Sequence, residues 1–380
     1  MILTLEELCR EKVALSLDDI LLVPNYSNIS SREEVDIGVD ISCNDKQVFK
    51  LRIPFVAANM DTVCETEMAY AMWELGGIGV IHRYNTIADQ RHMLIELHNK
   101  IDDYFSDKTN VCVAQQSAVP IAAAVGIKDY KERLLYIYNL VNMIFVDVAH
   151  GDHEQVGEAL EHIQDNYPNL LVAAGNVATY SGAKFLFDHC ASFVKVGVGN
   201  GSSCITRLVT GVGVPQASAL LDMFPCKPNF SNSYIIADGG IKNSGDIAKS
   251  LALGADLVMI GSLFAGCKEA PGKIHEFGDG HKYKVYHGLA SKDAMIHNNI
   301  KSPSKVVPEG VSCLVPYTGS VKDIIHQLSG GLKSALSYLG FSSLKELKQD
   351  KYNGVNFVII TSNGYKEGEP HVLYRERTRY

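Results

Sequence analysis

Short apolar runs rich in β-branched residues alternate along the chain with longer stretches in which apolar positions recur every three or four residues. The runs are Ile53–Ala58, Gly79–Ile81, Ile121–Val125, Met143–Ala149, Leu170–Ala174, Phe193–Val196, Tyr234–Ala237 and Leu257–Ile260. Each is close to continuously apolar, the pattern of a strand buried on both faces, as parallel strands are. Between them, Glu154–Asn166, Ser181–His189 and Ser244–Leu253 read as amphipathic helices. Eight strand–helix units predict an α/β fold, a (β/α)8 TIM barrel, which needs about 250 residues. A doubly wound sheet is the competing architecture. The regular eightfold rhythm, with no Gly-x-Gly-x-x-Gly after the first strand, favours the barrel.

In such a barrel the active site lies at the C-terminal ends of the strands. Those ends carry Asn59-Met60-Asp61, His82-Arg83, Asp147, Asn176, the Gly197–Cys204 loop, Asp238-Gly239-Gly240 and Gly261-Ser262. The segment Asp279–Pro316 follows the last barrel strand and is polar, and a loop of that length is expected to be functional or disordered. The tail Leu344–Tyr380 returns to an apolar run, Val355–Ile360, and ends in charged residues. We read residues 1–380 as one catalytic domain, with 279–316 as an active-site flap and 344–380 as a C-terminal segment.

Composition narrows the function. With 46% hydrophobic and 21% charged residues the chain buries a large core, and its net charge of −8 argues against nucleic acid as a partner. Any anionic ligand then has to be held by local backbone N–H groups. No apolar stretch reaches the roughly 18 residues of a membrane span. The acidic N-terminus, Met1 to Glu7, has no signal-peptide core. Nine cysteines without a Cys-x-x-Cys pair read as reduced thiols in a cytoplasmic protein, not as a disulfide frame or zinc site.

The most informative stretch runs from Lys195 to Arg207 and contains Gly197, Gly199, Gly201, Ser202, Cys204 and Thr206. Its glycines let backbone approach a ligand closely, and successive N–H groups there can cradle an anion and favour a thiolate. Lone loop cysteines are usually inert; the surroundings raise this one to a candidate nucleophile. Asp238-Gly239-Gly240 and Gly261-Ser262 follow the seventh and eighth runs, where barrels commonly bind phosphate. The Asp238 carboxylate is placed to accept hydrogen bonds from ribose hydroxyls. Lys195 reads either as a cofactor-side group or as the partner of a neighbouring acid. Tyr286 reads either as a cover for a nucleotide or as a core aromatic, and His150 either as a ligand contact or as a structural histidine.

The Gly-Asn-Gly-Ser-Ser-Cys204-Ile-Thr206-Arg207 loop resembles the active-site loop of the IMP dehydrogenase/GMP reductase family. Asn59 to Val63, Val146 to Gly151, Ala174 to Val177, Ala237 to Ile241, Met259 to Ser262 and Pro308 to Val311 are similar to that family's motifs and fall in its order. The resemblance covers roughly Val13 to the C-terminus. It implies a homotetramer acting on carbon 2 of a purine mononucleotide, with Cys204 as nucleophile and Thr206 and Glu309 handling protons. It implies Met60, Ser202, Asp238, Gly239, Gly240, Gly261, Ser262, Tyr286, Gly288 and Gly310 around the nucleotide. Asp147, Asn176 and Lys195 fall on the nicotinamide-cofactor side. The carbonyls of Gly199, Gly201 and Cys204 are implied as ligands of a monovalent cation, K+.

Two activities share this chemistry. The resemblance implies that a dehydrogenase activates water with an Arg-Tyr pair in the flap. Residues 288–309 contain neither Arg nor Tyr, although His297 or Lys301 could substitute. Asn59 before Met60-Asp61 is also similar to the reductases. The interval from His82 to Val125 is too short for the paired regulatory (CBS) domains that most dehydrogenases insert. Against this, Glu269 to Gly272, Pro308 to Val311, Ile324 to Gly331 and the tail with Glu369 and His371 look like bacterial dehydrogenases. The active-site residues lead to the expectation of a GMP reductase that uses NADPH to convert GMP to IMP and ammonia. The alternative is an IMP dehydrogenase that uses NAD. A reading of another class, a silent nucleotide-binding sensor, is disfavoured by retention of Cys204, Thr206 and Glu309.

Overall fold

A computed structural model describes residues 2–43, 47–106, 119–223, 233–278, 280–288, 290–292, 294 and 307–368. The eight apolar runs form eight parallel strands: β1 (Phe55–Ala57), β2 (Ile78–Ile81), β3 (Ala122–Val125), β4 (Met143–Asp147), β5 (Leu171–Val177), β6 (Phe193–Val196), β7 (Tyr234–Asp238) and β8 (Leu257–Ile260). They close into a barrel in chain order, β8 pairing back on β1 with Val258 opposite Phe55. The chain is therefore a (β/α)8 barrel, as its eightfold rhythm predicts. The boundaries shift by a few residues. The first strand is shorter than Ile53–Ala58, and the fourth stops at Asp147. The fifth runs on to Val177, and the seventh includes Asp238.

Helices follow the strands around the outside: α1 (Thr66–Leu75), α2 (Ile87–Ser106), α3 (Tyr130–Ile137), α4 (Glu154–Asn166), α5 (Tyr180–Asp188), α6 (Gln216–Met223), α7 (Ser244–Ala252) and α8 (Val321–Leu339). Local signals start several of them. Asn243 caps α7 by accepting from the Asp246 N–H at 3.0 Å, and Thr179 caps α5 through the Gly182 N–H at 3.2 Å. Close packing fixes others: a Cβ on Gly79 of β2 would lie 2.4 Å from the Ala69 Cα of α1. Only a glycine lets that helix approach its strand so nearly.

Side-chain alternation explains how the barrel interior is filled. On β6 the parity that sends Lys195 inward also sends Phe193 inward, and on β4 Phe145 shares the side of Asp147. Phe145 and Phe193 are fully buried, and Phe193 stacks on Tyr234 with ring centroids 4.7 Å apart. The Tyr234 hydroxyl accepts from the Ser42 N–H at 2.7 Å. Ser42 lies in a β-hairpin, Val39–Cys43 with Gln47–Leu51, which thereby meets the N-terminal end of the barrel. Polar side chains at the opposite end are left to face a cavity.

Two segments read only loosely from the sequence acquire definite structure. The flap region is not wholly a loop: Lys282–His287 and Ser312–Pro316 form an antiparallel stem. Of the flap residues singled out above, His297 and Lys301 lie outside the described residues, as do Glu369, His371, Cys112 and Cys226. The tail strand Asn356–Ile359 pairs with both Leu3–Thr4 and Ile20–Leu22, tying the two ends of the chain together. Among the described residues, no helix is long and apolar enough to cross a membrane.

Removing the Phe193 ring should open a cavity in the barrel centre. Phe193→Ala is expected to lower unfolding free energy by about 3–5 kcal/mol, read as a lower midpoint in urea with little change in slope.

Candidate active site

At the C-terminal end of the barrel lies a cavity of about 580 Å³, within the roughly 300–1,000 Å³ usual for small-molecule sites. Its wall brings together Met60, Asp147, Asn176, Lys195, Gly199, Gly201, Ser202, Cys204, Thr206, Asp238, Gly239, Gly240, Gly261, Ser262, Tyr286, Gly288, Glu309 and Gly310. Every residue that the resemblance assigns to the nucleotide, the cofactor, the cation or the proton path thus lines one space. His150 is exposed and lies outside this wall.

Cys204 is half-buried at the cavity wall. Its thiol donates to the Thr206 Oγ1 at 3.2 Å, and the Thr206 hydroxyl donates to the Glu309 Oε2 at 2.8 Å. Glu309 stands 103 positions beyond Thr206, and backbone pairing delivers it. The Ile205 N–H donates to the Glu309 carbonyl at 2.8 Å, and the Val311 N–H to the Ser203 carbonyl at 2.9 Å. Cys204 and Gly310 therefore face each other in an isolated antiparallel bridge. The three side chains form a continuous path along which a proton can leave sulfur for a carboxylate.

Behind this path lies a buried charge layer. The Lys195 Nζ donates to the Asp147 Oδ1 at 2.5 Å and reaches the Asp238 Oδ2 at 3.4 Å. Lys195 is thus paired with two acids and also lines the cavity. The Asn176 Nδ2 donates to the Asp238 Oδ2 at 2.9 Å and to the Gly197 carbonyl at 2.8 Å. Burial alone would raise the Asp147 carboxyl, but the Lys195 ammonium and the Arg83 guanidinium outweigh it and hold Asp147 below the usual range. Burial likewise opposes the Lys195 ammonium, and the two carboxylates overcome it and push Lys195 up. Gly197 lets this layer close: at its φ of +153° an added Cβ would lie 1.9 Å from the Asp238 carbonyl oxygen.

The flap stem supplies the opposite wall. Tyr286 is buried, as a core aromatic would be, yet its hydroxyl lies at the cavity. That hydroxyl points to the Met60 Sδ at 3.8 Å, while the Ser202 hydroxyl reaches it at 3.5 Å. Burial pushes the Tyr286 phenol above its ordinary value. The adjacent His287 Nε2 meets the Asp61 Oδ1 at 2.9 Å, fastening the stem to the loop after β1. The Gly201 carbonyl already accepts from the Cys204 N–H at 3.0 Å, leaving one lone pair for any cation shared with Gly199 and Cys204.

Several lining residues had no role in the sequence reading. Arg83 and Asn59 were marked only as strand-end residues, Asn59 also as a likeness to the reductases, and both line the cavity. Tyr84, Gln216, Asp18 and Lys242 carried none. Asp18 comes from the N-terminal segment and forms a bidentate ion pair with Lys242, at 2.6 and 2.5 Å. A nicotinamide nucleotide fits the remaining wall chemically, because the buried Asn59 Nδ2 and Arg83 Nε have no hydrogen-bond partner among the described residues. Such donors await acceptors.

Residues 14–371 match the model of the IMP dehydrogenase / GMP reductase domain. The chain is 37% identical to an inosine-5'-monophosphate dehydrogenase of Borreliella burgdorferi, over 96% of this chain and 98% of that protein. It is 36% identical to the enzyme of that name from Cryptosporidium parvum, over 94% of each chain. It is 32% identical to the one from Nitrosopumilus maritimus, over 95% of this chain and 98% of that protein.

Lys195→Met should leave the buried Asp147 and the part-exposed Asp238 carboxylates without the ammonium between them. We expect a loss of about 3–5 kcal/mol in stability at neutral pH. In the unmutated protein the stabilisation from raised Lys195 is full below its unfolded pKa of about 10.4 and lost as pH rises through the folded value. That from depressed Asp147 is full above about 3.9 and lost as pH falls through the folded value. Denaturation followed against pH should show the alkaline loss in the parent and not in Lys195→Met.

Proposed function

This chain belongs to the IMP dehydrogenase/GMP reductase family, and we propose that its reaction is the oxidation of IMP to XMP with NAD. The observation that carries the proposal is the hydrogen-bonded path from Cys204 through Thr206 to Glu309 at the wall of a nucleotide-sized cavity. The name shared by the near-full-length relatives favours the dehydrogenase over the reductase expected from the flap sequence.

In this reading the phosphate rests on the turns at Gly239-Gly240 and Gly261-Ser262, while Asp238 takes the ribose hydroxyls. Ser202, Met60 and Tyr286 bound the nucleotide, and Gly288 and Gly310 keep the flap base close to it. Cys204 sulfur bonds to carbon 2 of the purine as the thiol proton passes to Thr206 and on to Glu309. NAD, when bound, takes the hydride that leaves carbon 2. Once Glu309 has given that first proton to solvent, water attacks the same carbon and gives a proton to Thr206 as Thr206 gives its own to Glu309, and the carbon–sulfur bond breaks, the departing sulfur taking a proton back along the same path to restore the thiol. The atoms balance as IMP, NAD and water giving XMP, reduced NAD and a proton.

The flap lacks an Arg-Tyr pair, so in this proposal Glu309 is the base, acting through Thr206. Asp147, Asn176 and Lys195 stand on the cofactor side; Lys195 also holds Asp147 and Asp238, and Asn176 holds Asp238 and the Gly197 carbonyl. The carbonyls of Gly199, Gly201 and Cys204 are neutral oxygens of the kind K+ accepts, and we include K+ and a homotetrameric assembly in the proposal. A second reading, reduction of GMP to IMP with NADPH, is favoured by the flap sequence and by Asn59. It would use the same path in reverse, Glu309 supplying a proton through Thr206 to the departing ammonia.

The deciding measurement is absorbance of reduced nicotinamide with IMP plus NAD, and separately with GMP plus NADPH. Faster turnover of GMP than of IMP would overturn the main reading in favour of the second. Cys204→Ala should abolish turnover while IMP affinity by calorimetry stays within a few-fold. Glu309→Gln should slow turnover by roughly 10²–10⁴-fold, the scale of one general base, with IMP affinity preserved. Asp238→Ala should weaken IMP binding by about 1.5–3 kcal/mol, one to two decades.

A further inference from the structure

We propose that Asp18, by holding the Lys242 ammonium, limits the cavity to a nucleoside monophosphate and turns away the corresponding diphosphate. The inference deepens the proposed function. It rests on the reading that a mononucleotide phosphate lies on the Gly239-Gly240 turn, and not on the direction in which hydride moves.

Lys242 stands two positions beyond Gly240 and lines the cavity together with Ser16, Leu17 and Asp18 of the N-terminal segment. That segment is fixed in place. The Ser16 N–H donates to the Asp19 Oδ2 at 2.7 Å, and the Leu17 carbonyl accepts from the Lys249 Nζ of α7 at 2.8 Å. A Cβ on Gly240 would come 3.8 Å from the Leu17 Cδ1, so Leu17 lies against the turn and sets Asp18 beside it. Both Asp18 carboxylate oxygens meet the Lys242 Nζ, at 2.6 and 2.5 Å. The Lys242 backbone is pinned as well, its N–H donating to the Asp246 Oδ2 at 3.0 Å. Lys249, the next cation along, is committed to the Leu17 carbonyl and stands 4.0 Å from the Asp246 Oδ1.

One phosphate can be served by the N–H groups of the glycine turns without any net charge. A second phosphate finds those turns taken and needs a cation. Lys242 is the cation beside it, and two of its three N–H donors go to Asp18. Both side chains of the pair are about half exposed, so the pair adds little to stability. Its place in the cavity wall is what gives it a part in selection. Freed of Asp18, the ammonium would draw a second phosphate in. Freed of Lys242, the carboxylate would repel it. The two residues therefore act on a diphosphate in opposite directions, although removing either one breaks the same ion pair.

The test reads that difference in sign. Binding of IMP and of inosine 5'-diphosphate is measured by calorimetry to the full chain without a nicotinamide carrier, so that no hydride moves. IMP is substrate in one reading of the reaction and product in the other, and the experiment is the same for both. The quantity compared is the Kd of the diphosphate divided by that of IMP. Asp18→Asn should lower this ratio about 5-fold and Lys242→Met should raise it about 5-fold, the effect of a unit charge at about 4 Å in a water-like medium. The double variant, neutral at both positions, should return the ratio to within twofold of the parent. An unchanged ratio in Asp18→Asn would overturn the proposal. So would a ratio that moves the same way in both single variants, because a purely structural tie is lost alike from either end. If thermal unfolding shows either variant to be misfolded, Asp18→Ser and Lys242→Gln make the same two charge changes. No binding of IMP by the unmutated protein would instead defeat the reading of the cavity as a mononucleotide site, and this inference with it.

Discussion

The Lys195 ammonium, buried between Asp147 and Asp238, is the constraint on which the active end of the barrel depends. It joins the ends of three strands, β4, β6 and β7; Lys195 and Asp147 have almost no access to water, and Asp238 is part-exposed at the cavity. A lone charge at this depth would neutralise itself, whereas one cation between two carboxylates can stay ionised if geometry holds. Asn176 adds a neutral donor to Asp238 and reaches the Gly197 carbonyl, so β5 and the start of the Cys204 loop join the layer. Asp238 is thus oriented before any ligand arrives, with no rotamer search left to its carboxylate.

The chemistry is assembled by a second, weaker device, a short stretch of backbone pairing between the Cys204 loop and residues 309–311. Strand pairing sets separations to a few tenths of an ångström, which is what a 2.8 Å hydrogen bond from Thr206 to Glu309 requires. The flap stem, Lys282–His287 with Ser312–Pro316, brings this stretch to the barrel, and Tyr286 and His287 anchor the stem on Met60 and Asp61. The base of the flap and the catalytic path are one mechanical unit. Opening the stem would separate Glu309 from Thr206.

Electrostatics of the whole chain oppose an anionic ligand, and the local arrangement offsets this. Lys195 is spent on carboxylates, Arg207 donates to Asn200 and the Val214 carbonyl, and Lys242 is held by Asp18. A phosphate held as proposed would meet the N–H groups of glycine turns, a device that works without net charge. The buried Arg83 Nε has no hydrogen-bond partner among the described residues.

How much of this was legible in the sequence follows from the range over which each interaction acts. The eight strands were legible because burial on both faces writes a continuous apolar run. Their ends moved by a few positions because Asp238 and Val177 continue a strand only when the neighbouring strand is there to pair with. The glycine-rich Cys204 loop and the Asp238 turn were legible as chemistry because polar residues at strand ends have no packing duty. The flap stem was not, since its two strands lie far apart in sequence and neither alone buries a face. Nor was the fate of Lys195, whose type and position suit a ligand contact and an ion pair equally. Only the closed barrel, with β4 two strands from β6 and β7 beside it, placed carboxylates around it. Asp18 on Lys242 and the open donors of Arg83 and Asn59 are likewise products of closure, because they depend on which residues stand opposite across the barrel mouth and not on their neighbours along the chain.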